Sequence, residues 1–136
     1  MSGGELVIDA SAALHMASAT RLLAAIEPYV WVAPPNFPSE RTSALSAAIY
    51  RGDIPPSIGD AIFERLEALR VGIIDDGSTH RREALDLARS LGWAKTYDAE
   101  YVVLARRLEC PLLTTDARLE RGARGIVEVL RPASLR

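Results

Sequence analysis

Short apolar runs alternate with helical patterns along this 136-residue sequence, and this alternation restricts the fold more than any other feature. The runs that fit buried strands are residues 6–9, 30–33, 72–75, 111–114 and 126–130. The segments with apolar residues at helical spacing are 11–27, 38–52, 57–69, 79–91, 96–108 and 117–124. Strands that alternate with helices usually pair in parallel and are covered on both faces. The sequence therefore predicts an α/β fold with a short central parallel sheet flanked by helices.

Two helix boundaries carry signals of their own. Ser57 and Asp60 have the spacing of a capping box, which predicts a helix start at Ser57. Gly92 follows the last apolar residue of the fourth helical segment, where a glycine commonly ends a helix.

The composition is that of a soluble globular protein, with 49% hydrophobic and 25% charged residues. The length fits one domain, which we place at residues 1–136. No apolar stretch is long enough to span a bilayer, and the start lacks a signal-peptide pattern, so we expect a cytoplasmic protein without a membrane partner. A single cysteine fits a reducing compartment. The net charge of −2 argues against a general polyanion-coating protein.

Carboxylates follow two of the predicted strands. Asp9 ends the first strand, and Asp116 comes shortly after the fourth. Ligands bind outside the carboxyl ends of parallel strands, so acids from distant strands can meet there. Clustered carboxylates repel one another unless a hard cation binds them, which predicts a metal site. Each of these acids also precedes a helix, where it could instead cap free backbone N–H groups.

Two further acids lie near helix starts. Asp98 shares a helix face with Val102 and Ala105, which puts a carboxylate at the rim of a buried surface. Glu40 lies in the first turn of its helix, where a carboxylate also interacts favourably with the helix dipole. Glu100 should point about 200° away from Asp98 and be solvated.

Four stretches form one pattern across nearly the whole chain. They are LVIDAS at residues 6–11, the acid at position 40, TYDAEYVVLA at 96–105 and CPLLTTDARL at 110–119. This pattern resembles the PIN-domain ribonucleases, in particular the VapC-type toxins of bacterial and archaeal toxin–antitoxin pairs. The specific part is the Y-D-A-x-Y helix followed by L-x-T-x-D-x-x-L.

The resemblance implies a single PIN domain that acts as a metal-dependent endoribonuclease and hydrolyses RNA phosphodiester bonds as the toxin of a type II toxin–antitoxin system. It assigns the binding of Mg²⁺ or Mn²⁺, and the catalysis, to four acids: Asp9, Glu40, Asp98 and Asp116. It gives supporting roles to Ser11 and Thr114, although Ser11 could equally serve as a cap or turn residue. One departure is local, since three prolines crowd the start of the Glu40 helix.

The resemblance also implies partners. They are an RNA substrate, with tRNA and other structured RNAs as candidates, a VapB-type antitoxin, and a second copy in a homodimer. The antitoxin is expected to place an arginine among the carboxylates. The amphipathic helices at 57–69 and 79–91 carry more apolar surface than a short sheet can cover, which favours contact with another chain.

Other enzyme classes lack their motifs. His15 and His80 do not have the spacing of zinc hydrolases, and neither a phosphate-binding glycine loop nor G-x-S-x-G occurs. A receiver domain needs a lysine at a late strand end, but Lys95 precedes a helix. A haloacid-dehalogenase-like phosphatase needs an Asp where Ser11 stands. The open alternative is a PIN-like module that binds RNA or protein without cleaving anything, and the presence of all four acids favours the enzyme.

Overall fold

The computed structural model describes residues 4–19 and 28–134. Within them the strands are β1 (Glu5–Ile8), β2 (Val30–Ala33), β3 (Gly72–Ile73), β4 (Leu112–Leu113) and β5 (Val129–Leu130). The α-helices are α1 (Ala10–Ser18), α2 (Phe37–Tyr50), α3 (Pro56–Ala68), α4 (Gly77–Leu91), α5 (Tyr97–Leu108) and α6 (Ala117–Ala123). A 3₁₀ turn follows at Pro132–Ser134. No helix of these ranges is both long and apolar enough to cross a membrane.

The strands form one parallel sheet in the order β3-β2-β1-β4-β5. In the central strand, Val7 pairs with Val32 on one side and with Leu112 on the other. The chain runs outward from β1 to β3 and then returns to the opposite side of β1. This creates a switch point between β1 and β4, and ligands of open α/β sheets bind in the crevice outside such a point.

The three apolar residues of β1 are completely covered. Leu6, Val7 and Ile8 have no exposed surface, as expected for a strand buried on both faces. The helices α1, α2 and α3 pack together, while α5 packs against both β1 and α4. The α/β fold predicted from the alternating pattern is therefore confirmed.

Several element boundaries differ from the sequence prediction. Helix α1 ends at Ser18, and residues 20–27 of the predicted first helix lie outside the described residues. Helix α3 begins at Pro56 without a side-chain cap hydrogen bond, so the capping-box prediction is wrong. A proline fits this position because its fixed φ is already helical and the first N–H groups of a helix have no partner within it. Gly92 ends α4 with a φ of 72°, as predicted.

Candidate active site

A single cavity collects the four predicted acids. It has a volume of about 330 Å³ and lies outside the carboxyl ends of β1 and β4, lined by Asp9, Glu40, Asp98 and Asp116. Asp9 directly follows β1, and Asp116 is the N-cap of α6. Glu40 and Asp98 lie in the first turns of α2 and α5. Acids that are far apart in the sequence are thus neighbours in the fold.

Asp9 is the buried centre of a hydrogen-bond network. Its Oδ1 accepts from the Ser11 hydroxyl and from the Ala12 N–H, both at 2.8 Å. Its Oδ2 accepts from the hydroxyl of Thr114 at 2.5 Å. Burial raises the pKa of Asp9 to about 6 in spite of these hydrogen bonds, and the negative charge of Asp116 acts in the same direction. Asp9 is therefore both a helix cap and a carboxylate held in one orientation.

Thr114 and Ser11 connect Asp9, at the end of β1, to the residues that follow β4. Thr114 is fully buried, and its hydroxyl also accepts from the backbone N–H of Asp116 at 3.0 Å. The Ser11 hydroxyl accepts from the Thr115 N–H at 3.1 Å. Both residues that sequence analysis assigned to support are therefore in contact with Asp9.

Asp116 also caps a helix. Its Oδ1 accepts from the N–H groups of Arg118 and Leu119, at 2.9 and 3.2 Å. The capping role considered for Asp9 and Asp116 thus holds for both acids, and it coexists with their position in the cavity.

Glu40 is held by Tyr101, the last residue of the Y-D-A-x-Y motif, to which sequence analysis gave no role. The hydroxyl of the buried Tyr101 donates a hydrogen bond to Glu40 Oε1 at 2.7 Å. Burial raises the pKa of Glu40, the Tyr101 hydrogen bond lowers it, and the charge of Asp98 raises it. Burial and the neighbouring acids raise the pKa of Tyr101, which keeps its hydroxyl a donor. The signal for Tyr101 was its place three residues after Asp98, on the same helix face.

Asp98 contacts a cation from the last helix. Arg118 Nη1 is 3.5 Å from Asp98 Oδ2. Burial raises the pKa of Asp98, the charge of Asp116 raises it further, and Arg118 lowers it. Arg118 was also missed by sequence analysis, although it stands only two residues after Asp116.

Glu100 is not solvated, which corrects the expectation from helical geometry. Only 13% of its side chain is exposed, and its Oε1 is 3.4 Å from the Nε2 of the buried His80. Burial raises the pKa of Glu100, and the charge of Glu40 raises it further. The expectation failed because α4 packs on the face of α5 that carries Glu100. Glu100 does not line the cavity, but its charge interacts with that of Glu40.

The donor set of the cavity fits a hard divalent cation. Carboxylate oxygens are the ligands that Mg²⁺ and Mn²⁺ prefer, and no His or Cys lines this cavity. In the described part of the chain, no group of three or more Asp, Glu, His or Cys side chains is already arranged to hold an ion. Asp9, Glu40 and Asp98 are instead engaged by Thr114, Tyr101 and Arg118. Metal binding would exchange some of these contacts for metal–oxygen bonds.

Comparison with known proteins gives matches over nearly the whole chain. Residues 6–125 match the family model of the PIN domain. Among solved structures, the chain is similar to PAE2754 from Pyrobaculum aerophilum, with 20% identity, a TM-score of 0.74, and coverage of 96% of this chain and 85% of that one. It is also similar to a chain of FitAB bound to an IR36 DNA fragment, with 13% identity, a TM-score of 0.61, and coverage of 96% and 97%. These two structures share the fold. No curated protein matches the sequence.

Proposed function

Because the chain belongs to the PIN-domain family, whose members are typically nucleases, we propose that it is a Mg²⁺- or Mn²⁺-dependent endoribonuclease. The observation that supports this most strongly is the convergence of four carboxylates on one cavity at the switch point of the sheet. The resemblance of the sequence motifs to VapC-type toxins supports RNA as the substrate.

We assign the metal to Asp9, Asp98, Asp116 and Glu40. When bound, a divalent ion lowers the pKa of a water molecule and neutralises charge on the scissile phosphate. Thr114 and Ser11 hold the carboxylate of Asp9 in place, and Tyr101 holds that of Glu40. Burial raises the pKa of Glu40 in the metal-free protein, and a bound cation would favour its ionised form.

We also propose that the protein is the toxin of a type II toxin–antitoxin pair. The support is the VapC-type motif pattern, together with the fold shared with a chain of the FitAB structure. A VapB-type antitoxin would place an arginine against the carboxylates, at the position where Arg118 already contacts Asp98. Exposed apolar side chains, Ile58 and Phe63 of α3 and Leu85 of α4, support a surface for a second copy.

The deciding experiment incubates the purified chain with total RNA and with tRNA in Mg²⁺, Mn²⁺ or EDTA. We expect internal cleavage that needs the metal and leaves 3′-hydroxyl and 5′-phosphate ends. The inactive variant is Asp9→Asn, and its matched control is Asp60→Asn, which changes an exposed acid of α3 outside the cavity. Cleavage that persists in excess EDTA, or that leaves 2′,3′-cyclic phosphates, would contradict the proposal.

The alternative function is a PIN-like module that binds RNA or a protein without cleaving it. It is favoured by the contact of Arg118 with Asp98, which places a cation of the chain itself against an assigned metal ligand. In that case RNA remains intact in both Mg²⁺ and Mn²⁺, and induction of the chain alone does not arrest growth.

A further inference from the structure

Arg118 is a basic side chain at the edge of the acidic cavity. Its guanidinium lies 3.5 Å from Asp98 Oδ2 and 5.1 Å from the centre of the Trp93 ring. About half of the side chain, 52%, is exposed. The guanidinium is therefore close to the candidate metal ligands and accessible to a ligand from solvent.

Trp93 forms a platform for this arginine. A Cβ atom at Gly122 would overlap the six-membered ring of Trp93, so the indole packs directly against the backbone of α6. Gly122 stands one turn after Arg118 on that helix, so Arg118 and Gly122 lie on the same face of α6. Stacking on an aromatic face orients a planar guanidinium and limits its freedom. Arg118 is thus held near the cavity by a contact that does not involve the acids.

We propose that Arg118 binds a phosphate of the RNA backbone beside the acidic cavity, with Trp93 as its positioning residue. The inference rests on the proposed endoribonuclease function. A cavity lined by four carboxylates repels a polyanion, so the RNA backbone needs a cation at the edge in order to approach. The forked donors of arginine match phosphate oxygens, and contacts of this kind position RNA without reading its sequence.

The contact with Asp98 gives Arg118 a second, competing role. Without RNA, the guanidinium neutralises part of the charge of Asp98, which we assign to the metal. Removal of Arg118 should therefore weaken RNA binding and strengthen cation binding. A residue with only a structural role would not change the two affinities in opposite directions.

The test compares Arg118→Gln with Arg82→Gln. Arg82 is exposed on α4 and pairs with Asp86 of the same helix, and α4 contributes no residue to the cavity. The RNA probe is a fluorescein-labelled single-stranded RNA of randomised sequence, titrated in EDTA so that it is not cleaved. Mn²⁺ binding is measured separately, without RNA, by electron paramagnetic resonance.

For Arg118→Gln we expect RNA affinity to fall roughly tenfold, because hydrogen bonds to charged groups are lost. The slope of log affinity against log salt should become shallower by about one. Mn²⁺ affinity should rise roughly threefold, because a nearby positive charge is removed. Arg82→Gln should leave all three quantities unchanged.

Three further variants keep the inference testable. Arg118→Lys retains the charge but loses the fork and the planar stack, so its RNA affinity should lie between wild type and Arg118→Gln while its Mn²⁺ affinity stays near wild type. Trp93→Leu should weaken RNA binding by a smaller factor, and Trp93→Phe should restore it. Thermal unfolding of each variant checks that the fold is intact.

The measurements distinguish a failure of this inference from a failure of the proposed function. If wild type cuts RNA and Arg118→Gln binds RNA equally well, or loses affinity for both RNA and Mn²⁺, this inference alone is overturned. If wild type neither binds nor cuts RNA, the proposed function is overturned with it.

Discussion

The cavity has two sides that are built differently. The strand side consists of Asp9, Ser11, Thr114 and Asp116, which follow the ends of β1 and β4. The helix side consists of Glu40, Asp98 and Tyr101, which α2 and α5 carry. On the strand side, Asp9 is buried and accepts three hydrogen bonds, two from Ser11 and Ala12 in the first turn of α1 and one from Thr114 directly after β4.

On the helix side, Asp98 is half-buried, and its charged partner is a half-exposed arginine. Exchanging the partners of Asp9 would break buried hydrogen bonds, whereas Arg118 can leave Asp98 for solvent or for a ligand at little cost. The difference indicates that the strand side fixes the position of the site, while the helix side adjusts to what binds there.

Loss of one carboxylate from either side of the cavity, Asp9 or Asp98, should stop RNA cleavage. We expect Asp9→Asn and Asp98→Asn each to lower the rate of RNA cleavage by about a hundredfold or more, because each removes an assigned metal ligand worth several kcal/mol in the transition state. Asp60→Asn should cut RNA like the wild type. A variant of either acid that keeps most of its activity would remove that side of the cavity from the metal site.

Removal of the hydroxyls that orient the acids should lower the cleavage rate by different factors on the two sides. We expect Thr114→Val to lower the cleavage rate roughly ten- to a hundredfold, because it removes the donor to Asp9 and the acceptor of the Asp116 N–H. Thr114→Ser keeps the hydroxyl and should stay near wild type. Tyr101→Phe, the counterpart on the helix side, should cost less than Thr114→Val, and the reverse order would contradict the comparison.

The stability of the metal-free protein should fall as pH rises from about 4 to 6. Burial raises the folded-state pKa of Asp9 from 3.8 to about 6, so the folded protein binds more protons than the unfolded chain in this window. Ionisation of Asp9 should then lower the free energy of unfolding by about 1 to 2 kcal/mol. Urea titrations in EDTA at several pH values measure this, and Asp9→Asn should flatten the decline. An equally steep decline in Asp9→Asn would assign it to other acids.

The smallest expected effect is a difference in stability at pH 7.5 without metal. Asp9→Asn should raise the free energy of unfolding by about 1 kcal/mol, because it removes a buried charge while asparagine still caps α1. Asp98→Asn should change it by less than about 0.5 kcal/mol, because relief of repulsion is offset by loss of the Arg118 contact. Urea titrations of the two variants side by side decide this. If both variants unfold at lower urea concentrations than the wild type, the acids are mainly structural.

The strand side could be predicted from sequence because its signals are local. Asp9 follows an apolar run directly, and the alternation of strands and helices places the ends of parallel strands at one edge. The roles of Thr114 and Ser11 came from the family resemblance. For Asp9 and Asp116 a pattern in consecutive residues was sufficient, because a strand end determines where the next side chain stands.

The helix side was harder to predict, because its contacts depend on how helices that are far apart in the sequence pack together. Glu40 was assigned by family resemblance, since a carboxylate in a first helical turn is common for other reasons. Glu100 was misjudged because helical geometry gives a direction around the helix axis but not which helix lies in that direction. Arg118 and Tyr101 were missed for a related reason, because their contacts depend on how α6 and α2 are placed against α5.

The hydrogen bond from Thr114 to Asp9 joins residues that are 105 positions apart in the chain. Ribosomes add roughly 5 to 20 residues per second, so Asp9 is synthesised roughly 5 to 20 s before its partner exists. During this interval β1 and the early helices can form without the repulsion of the complete acidic cluster, because Asp98 and Asp116 have not yet been made. The order of synthesis thus delays the full repulsion among the four carboxylates until Asp116 has been made.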